Sequence, residues 1–419
     1  MTAAHFPAAL LAAPWVERLQ YFKDYTVSHP QLRQADTTLW RAIQEPAGSS
    51  LVFVYGPTGV GKTTLRQHIE ARLLKECDPA TPCLPVVWLE ATAPEAGKFS
   101  WKDFYKRGVL AVEQAFVEDK RGIYDHNFFV DRGGNLTISP RASLDDLRLG
   151  LEYSLRLRQP RALLIDDAQH LAKAPSARKL QDGLDAIKSL ASRAQTLSVL
   201  LGTYELLALR DLSGQLSRRS IDVHFPRYRT EADDLQAFQN VLWAFQRHLP
   251  LVREPELMKR WEYCYVRSVG CVGILKDWLT RALASALIDK EKTLMLKMLQ
   301  AHAPLLSQCE KMAVEAVEGE QMLALQDQSE THLLNVLGFP RKAQDAMVSV
   351  GFSSVESKTA AESAGSEAPR LPKRLKRVGQ RNPKRDPVGW SVCGEFAGAE
   401  KNQPSRGRER PTYRLMYKN

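Results

Sequence analysis

Nowhere in this 419-residue sequence do apolar residues run for the roughly 18 positions that a bilayer-spanning helix needs. The opening stretch, Met1 to Ala13, is rich in alanine but has no basic region ahead of it, so no secretory leader is read there and a cytoplasmic protein is expected. The six cysteines, Cys77, Cys83, Cys264, Cys271, Cys309 and Cys393, form no Cys-x-x-Cys pair and have no histidine partner at zinc-ligand spacing. They read as buried thiols acting as small apolar side chains. No repeat of about 20–50 residues is visible, which excludes solenoids and propellers.

Net charge is nearly absent before residue 370. The overall +10 sits between Arg370 and Asn419, where 14 Lys and Arg face 4 Asp and Glu. The basic character therefore belongs to a tail, while the rest has the composition of an ordinary globular protein. The length leaves room for one large core, a second domain and that tail.

Residues 14–50 read as a helical segment, with Leu32, Ala35, Leu39 and Ile43 at helical spacing. Leu51-Val52-Phe53-Val54-Tyr55 follows, an apolar run suited to a strand buried on both faces. Further strands are read at 85–90, 162–165, 197–201 and 221–225, and helices at about 62–76, 101–116 and 177–193. Residues 119–143, with Gly133-Gly134 and Pro140, look like an inserted hairpin or loop. This alternation implies an α/β fold with a parallel five-stranded sheet covered on both faces. From about Glu231 the pattern is helical only, with Leu235, Phe238, Leu242, Phe245 and Leu249 on one stripe and more helices at 254–266, 272–289, 292–302 and 305–318. Past about Gly351, Ser, Ala, Glu and Gly give way to Pro, Lys and Arg, a composition expected to be disordered. The domains read are 1–50, a core at 51–230, a helical lid at 231–350, and a linker with basic tail at 351–419.

The chemistry is carried first by Gly56-Pro57-Thr58-Gly59-Val60-Gly61-Lys62-Thr63-Thr64, a G-x-x-x-x-G-K-T loop between a buried strand and a helix. Glycines let the backbone N–H groups wrap around phosphates, and the helix start adds its positive dipole end. Lys62 is expected to reach the β- and γ-phosphates of ATP, and Thr63 to ligate Mg2+. Asp166, at a strand tip, is the expected partner of the metal. Asp167 is the candidate for orienting or deprotonating the attacking water, with capping of the next helix as the alternative. Asp is a methylene shorter than the more usual glutamate, so slow hydrolysis is expected. Thr203 closes the next strand and would set its hydroxyl near the γ-phosphate, unless it caps the helix that follows. Arg218 and Arg219 precede the final core strand, where one would act as an arginine finger in a neighbouring subunit, or both lie on a solvated surface.

These elements together resemble an AAA+ ATPase, a P-loop three-layer core followed by an α-helical lid. Two stretches narrow the likeness, Ile165-Asp166-Asp167-Ala168-Gln169-His170-Leu171 and Leu201-Gly202-Thr203-Tyr204-Glu205-Leu206-Leu207 through Arg218-Arg219-Ser220. With Cys271-Val272-Gly273-Ile274-Leu275-Lys276-Asp277-Trp278 they are similar to the transposition ATPases of the TniB/TnsC type, which also resemble the phage MuB target regulator. The likeness spans roughly residues 30–290.

The resemblance implies ATP-dependent head-to-tail assembly on double-stranded DNA as a ring or helical filament. It also implies delivery of the target to a transposase, links to target-selector proteins, and release by hydrolysis. It places Lys276 as a second sensor of the nucleotide. It directs the segment after the second strand to the DNA, where Lys98, Lys102 and Arg107 are candidate phosphate contacts, a solvated helix face being the alternative. The basic tail would bind DNA nonspecifically, dock a partner through Trp390, Tyr413, Leu415, Met416 and Tyr417, or simply solubilise. Two further readings remain at this point: an ATP-binding assembly scaffold with little turnover, and a replication or repair loader.

Overall fold

A computed structural model describes residues 6–77, 84–93, 99–116, 127–173, 177–211, 220–327 and 336–337. In chain order the elements are α1 (Trp15–Asp24), α2 (Pro30–Gln44), β1 (Leu51–Tyr55), α3 (Lys62–Lys75), β2 (Val86–Glu90), α4 (Trp101–Glu113), β3 (Phe128–Val130) and β4 (Leu136–Ile138). There follow α5 (Leu144–Arg158), β5 (Ala162–Asp166), α6 (Ala177–Ala194), β6 (Leu197–Gly202), α7 (Leu206–Arg210) and β7 (Ser220–His224). The chain then becomes helical, with α8 (Ala232–His248), α9 (Trp261–Ser268), α10 (Val272–Ile288), α11 (Leu296–His302) and α12 (Leu306–Asp327). These elements lie in one compact unit, Met1–Gly351. The basic tail and the apolar residues assigned to it lie outside the described residues.

The main sheet has the order β2-β5-β6-β1-β7 and every pairing is parallel. All five residues of β1 are buried, as a central strand covered on both faces requires. On one face Leu51, Phe53, Leu163, Ile165 and Leu200 pack with α4, α5, α6 and α7. On the other, Val52, Val54, Leu164, Val199 and Val223 pack against α2 and α3. At about 25 cal/mol per Å2 of apolar surface removed from water, these two layers are the main stabilising term of the sheet. The expected five-stranded α/β core with a helical region after it is thus the observed one. A separate two-stranded antiparallel hairpin, β3 with β4, occupies part of the expected insertion.

The N-terminal helical segment is two helices with different destinations. Pro30 at the first turn and His29 as N-cap start α2, which joins the sheet core. Leu19 and Phe22 of α1 instead enter a second core with Phe238, Leu242, Phe245, Leu275, Trp278 and Leu279 of the helical region. Helix α5, for which the sequence reading names no element, is started by a capping box in which Ser143 and Asp146 exchange side-chain and backbone hydrogen bonds.

Cys264, Cys271 and Cys309 are free and buried, as expected. Cys77 departs from that reading because it is disulfide-bonded. The spacing of the cysteines carries no sign of such a bridge. Among the described residues no helix is long and apolar enough to cross a membrane.

Candidate nucleotide site

The phosphate loop leaves β1 at its carboxyl end and turns into α3 through Gly61, whose φ of 118° lies in the left-handed region. Lys62 Nζ donates to the carbonyls of Gly56 at 2.9 Å and Pro57 at 2.8 Å, so the ammonium is folded against its own loop. Burial pushes its pKa down to about 8, against the opposing pull of Asp166 and Asp167. A phosphate arriving in front of the loop would give this half-buried cation a closer anionic partner.

Parallel pairing of β5 beside β6 carries Asp166 to the same end of the sheet. Thr63 Oγ1 donates to Asp166 Oδ2 at 3.3 Å, and the Asp167 N–H donates to Asp166 Oδ1 at 3.1 Å. Two hard oxygen donors thus stand side by side at the loop, the ligand chemistry that Mg2+ takes. Among the described residues no cluster of three or more His, Cys, Asp or Glu is placed to hold a metal unaided. A magnesium ion held by Thr63 and Asp166 would therefore need phosphate oxygens as well, which fits an ion that enters with a nucleotide.

Asp167 follows the strand in a left-handed conformation with φ 52°, and it makes no side-chain cap to the turn it precedes. Its carboxylate instead accepts a hydrogen bond from Gln169 Nε2 at 3.1 Å. Thr203 does not cap α7 with its side chain either, since the Leu206 N–H bonds the Thr203 backbone carbonyl. The Thr203 hydroxyl is buried with no hydrogen-bond partner among the described residues. Neither capping alternative is therefore realised.

One cavity of about 600 Å3 is lined by Thr58, Gly59, Gly61, Lys62, Thr63, Thr64, Asp166, Asp167, Gln169 and Thr203, with Lys23, Gly273, Lys276, Asp277 and Thr280 from the helical side. Lys276 is at this cavity, where its Nζ donates to the Lys23 carbonyl at 2.6 Å and burial lowers its pKa. The start of α10 is docked on the loop itself, with the Ile274 N–H donating to Gly59 O at 3.2 Å. A Cβ on Gly273 would stand 2.5 Å from that same carbonyl, so only glycine permits the approach.

Two participants were not singled out from the sequence. Arg66, one turn beyond Lys62, is buried and sets its Nε 3.3 Å from Asp166 Oδ2, while its Nη1 bonds Glu70 at 2.7 Å and its guanidinium lies over Trp88. Gln169 joins Asp167 to the β6 tip. A second cavity of about 370 Å3 shares Thr58, Gln169 and Thr203 with the first and is closed by Glu315, Glu318, Gly319 and Met322 of α12. That helix is held by a bidentate pair from Arg227 to Glu320, at 2.9 and 3.2 Å.

The structure does not gather every candidate at the loop. Lys102 and Arg107 sit on the exposed face of α4, and Arg107 is paired with Asp103 at 2.7 Å. Phe104, from the same helix, is buried. Lys98, Arg218 and Arg219 lie outside the described residues.

Sheet order, phosphate loop, acidic β5 tip and trailing helices define a P-loop fold of the AAA+ class. Residues 45–209 match the family model described as an AAA domain. Among solved structures, the chain resembles the ORC1 protein of Aeropyrum pernix in complex with DNA, at 16% identity and TM-score 0.46, over 68% of each chain. It also resembles Cdc6p of Pyrobaculum aerophilum, at 16% identity and TM-score 0.45, over 68% of this chain and 69% of that one. The Walker-type ATPase paby2304 of Pyrococcus abyssi matches at 14% identity and TM-score 0.43, over 80% and 86%. No curated protein matches the sequence.

Proposed function

We propose that this protein is an ATPase whose nucleotide state governs its assembly on target DNA during transposition. The observation that carries the ATPase part is the convergence of Lys62, Thr63, Asp166, Asp167 and Thr203 on one cavity. The transposition part rests on the motif resemblance in 165–171, 201–220 and 271–278.

In this reading the loop N–H groups and Lys62 hold the β- and γ-phosphates, and Thr63 with Asp166 holds Mg2+, which supplies charge neutralisation when bound. Asp167 accepts a proton from a water as the water oxygen bonds to the γ-phosphorus. The bond from that phosphorus to the β,γ-bridging oxygen breaks, and its electron pair leaves with ADP. The free Thr203 hydroxyl donates to a γ-phosphate oxygen. Arg218 or Arg219 completes the neighbouring subunit's site, and Lys102 and Arg107 meet DNA phosphates once Arg107 leaves Asp103.

The test is steady-state hydrolysis with and without duplex DNA, together with electron microscopy of the protein, ATP and DNA. Lys62→Ala should abolish nucleotide-dependent assembly, and normal filaments in that variant would refute the switch. One observation favours a second reading, a scaffold that binds ATP with little turnover: the short Asp167 carboxylate is already engaged by Gln169. Absent turnover even with DNA would select it.

A further inference from the structure

Gln169 lies in the short 3-10 turn after β5, two residues beyond Asp167. Its Nε2 donates to Asp167 Oδ1 at 3.1 Å, and its Oε1 accepts the Thr203 N–H at 3.3 Å. A single amide thus joins the carboxylate at one strand tip to the backbone at the next. The join depends on Gly202, because a Cβ there would stand 2.6 Å from Gln169 Oε1. Both ends face the cavity shared with the phosphate loop.

The chemistry of the side chain is specific to this task. An amide offers a donor and an acceptor at once, so it can satisfy a carboxylate and an N–H together. A glutamate would repel Asp167, and a leucine would bond neither neighbour. The donated hydrogen bond orients the Asp167 carboxylate. The accepted bond makes that orientation depend on Thr203, which lines the cavity and whose buried hydroxyl has no hydrogen-bond partner among the described residues. A shift of Thr203 towards a phosphate would pull the amide and turn it away from Asp167.

Building on the hydrolysis reading above, we propose that Gln169 is a positioning residue that couples Asp167 to Thr203, so that the carboxylate is set for proton transfer according to what occupies the β6 tip. It touches neither nucleotide nor water in this role. It acts through its two neighbours.

The experiment compares Gln169→Leu and the isosteric Gln169→Glu with the unmodified full-length protein. It measures kcat and KM for Mg-ATP and equilibrium binding of ADP. Gln169→Leu should lower kcat about tenfold or more while KM and ADP affinity stay within roughly threefold. Gln169→Glu should also lower kcat, since a carboxylate has no N–H to donate to Asp167, with KM again within roughly threefold. If Gln169→Leu fails to bind ADP and so proves misfolded, kcat and KM of the glutamate variant decide alone. A normal kcat in both variants would overturn the assignment of Gln169 and leave the ATPase reading intact. Unmodified protein that binds ATP without any turnover would overturn the hydrolysis reading and this inference with it.

Discussion

Arg66 Nε stands 3.3 Å from Asp166 Oδ2, so the carboxylate expected to meet a metal already has a protein counter-charge. Both side chains are largely buried, at 7% and 12% exposure, where an uncompensated charge is costly. Arg66 thereby offsets part of the cost of placing an acid at the end of a buried strand.

Removing that arginine has a defined outcome. Arg66→Met keeps an apolar stem against Trp88 but leaves Asp166 with only the Thr63 hydroxyl and the Asp167 N–H. The nucleotide-free protein should lose on the order of 2–4 kcal/mol of stability. Mg-ATP should restore more of the melting temperature in the variant than it adds to the unmodified protein, because the ion replaces the missing charge. Equal ligand-induced shifts in calorimetry would contradict this account.

The docking of α10 on the phosphate loop predicts a second effect. Gly273→Ala brings a methyl group to 2.5 Å from Gly59 O and must lift the helix start from the loop. Nucleotide affinity should fall about tenfold, roughly 1.4 kcal/mol, with little change in thermal stability without ligand. Titration calorimetry with ADP measures both the direction and the size.

Helix α12 should be releasable by one carboxylate. Glu320 pairs bidentately with Arg227 and lies 3.5 Å from Arg229, and its side chain is 11% exposed. Glu320→Gln leaves two arginines without their anion at that site. Amide exchange across Leu306–Asp327 should accelerate at least about tenfold while the sheet strands remain protected. Unchanged protection of that helix would show that Gly319 packed on Tyr204 suffices to hold it.

Acid should weaken the fold through two histidines. His29 Nδ1 accepts from the Leu32 N–H at 3.4 Å and meets the Tyr228 hydroxyl at 2.9 Å, and His224 Nε2 meets the Tyr204 hydroxyl at 2.9 Å. Burial, with Arg33 and Arg229 respectively, lowers both pKa values from 6.5 to about 4. Between those values the unfolded chain binds protons that the folded chain does not, so stability is full above the upper limit and is lost as pH falls through the window. Each histidine contributes up to about 3 kcal/mol to that loss. His224→Gln keeps an acceptor for Tyr204 and should shrink the loss by about half in urea titrations between roughly pH 7 and pH 5.

The strand run 51–55 and the loop after it were legible because each is a local pattern with a local cause, continuous apolar burial followed by glycine and lysine at fixed spacing. Helix α5 was not. Its leucines at 144, 147, 149, 151, 155 and 157 mix a spacing of two with a spacing of three or four, and only the structure shows that Leu147, Leu151 and Leu155 are the buried set. Arg66 and Gln169 were hidden for a different reason. Each is an ordinary polar residue on its own element and acquires meaning only from a partner on another strand or helix. The split of the N-terminal segment was equally invisible, since α1 and α2 are both amphipathic and nothing local says which core each will join.

The sheet order also sets a timetable for synthesis. β1 is the hub of the sheet, pairing Leu51 with Ser198 on one side and with Ser220 on the other. Its partners leave the ribosome about 145 and about 170 residues later, which at about 5–20 residues per second is a wait of roughly 7–34 s. During that interval Leu51–Tyr55 is an apolar strand with two open edges, shielded only by the neighbouring helices on one face. A nascent chain of this protein is therefore exposed to aggregation, and in need of a chaperone, at the strand that later leads into its phosphate loop.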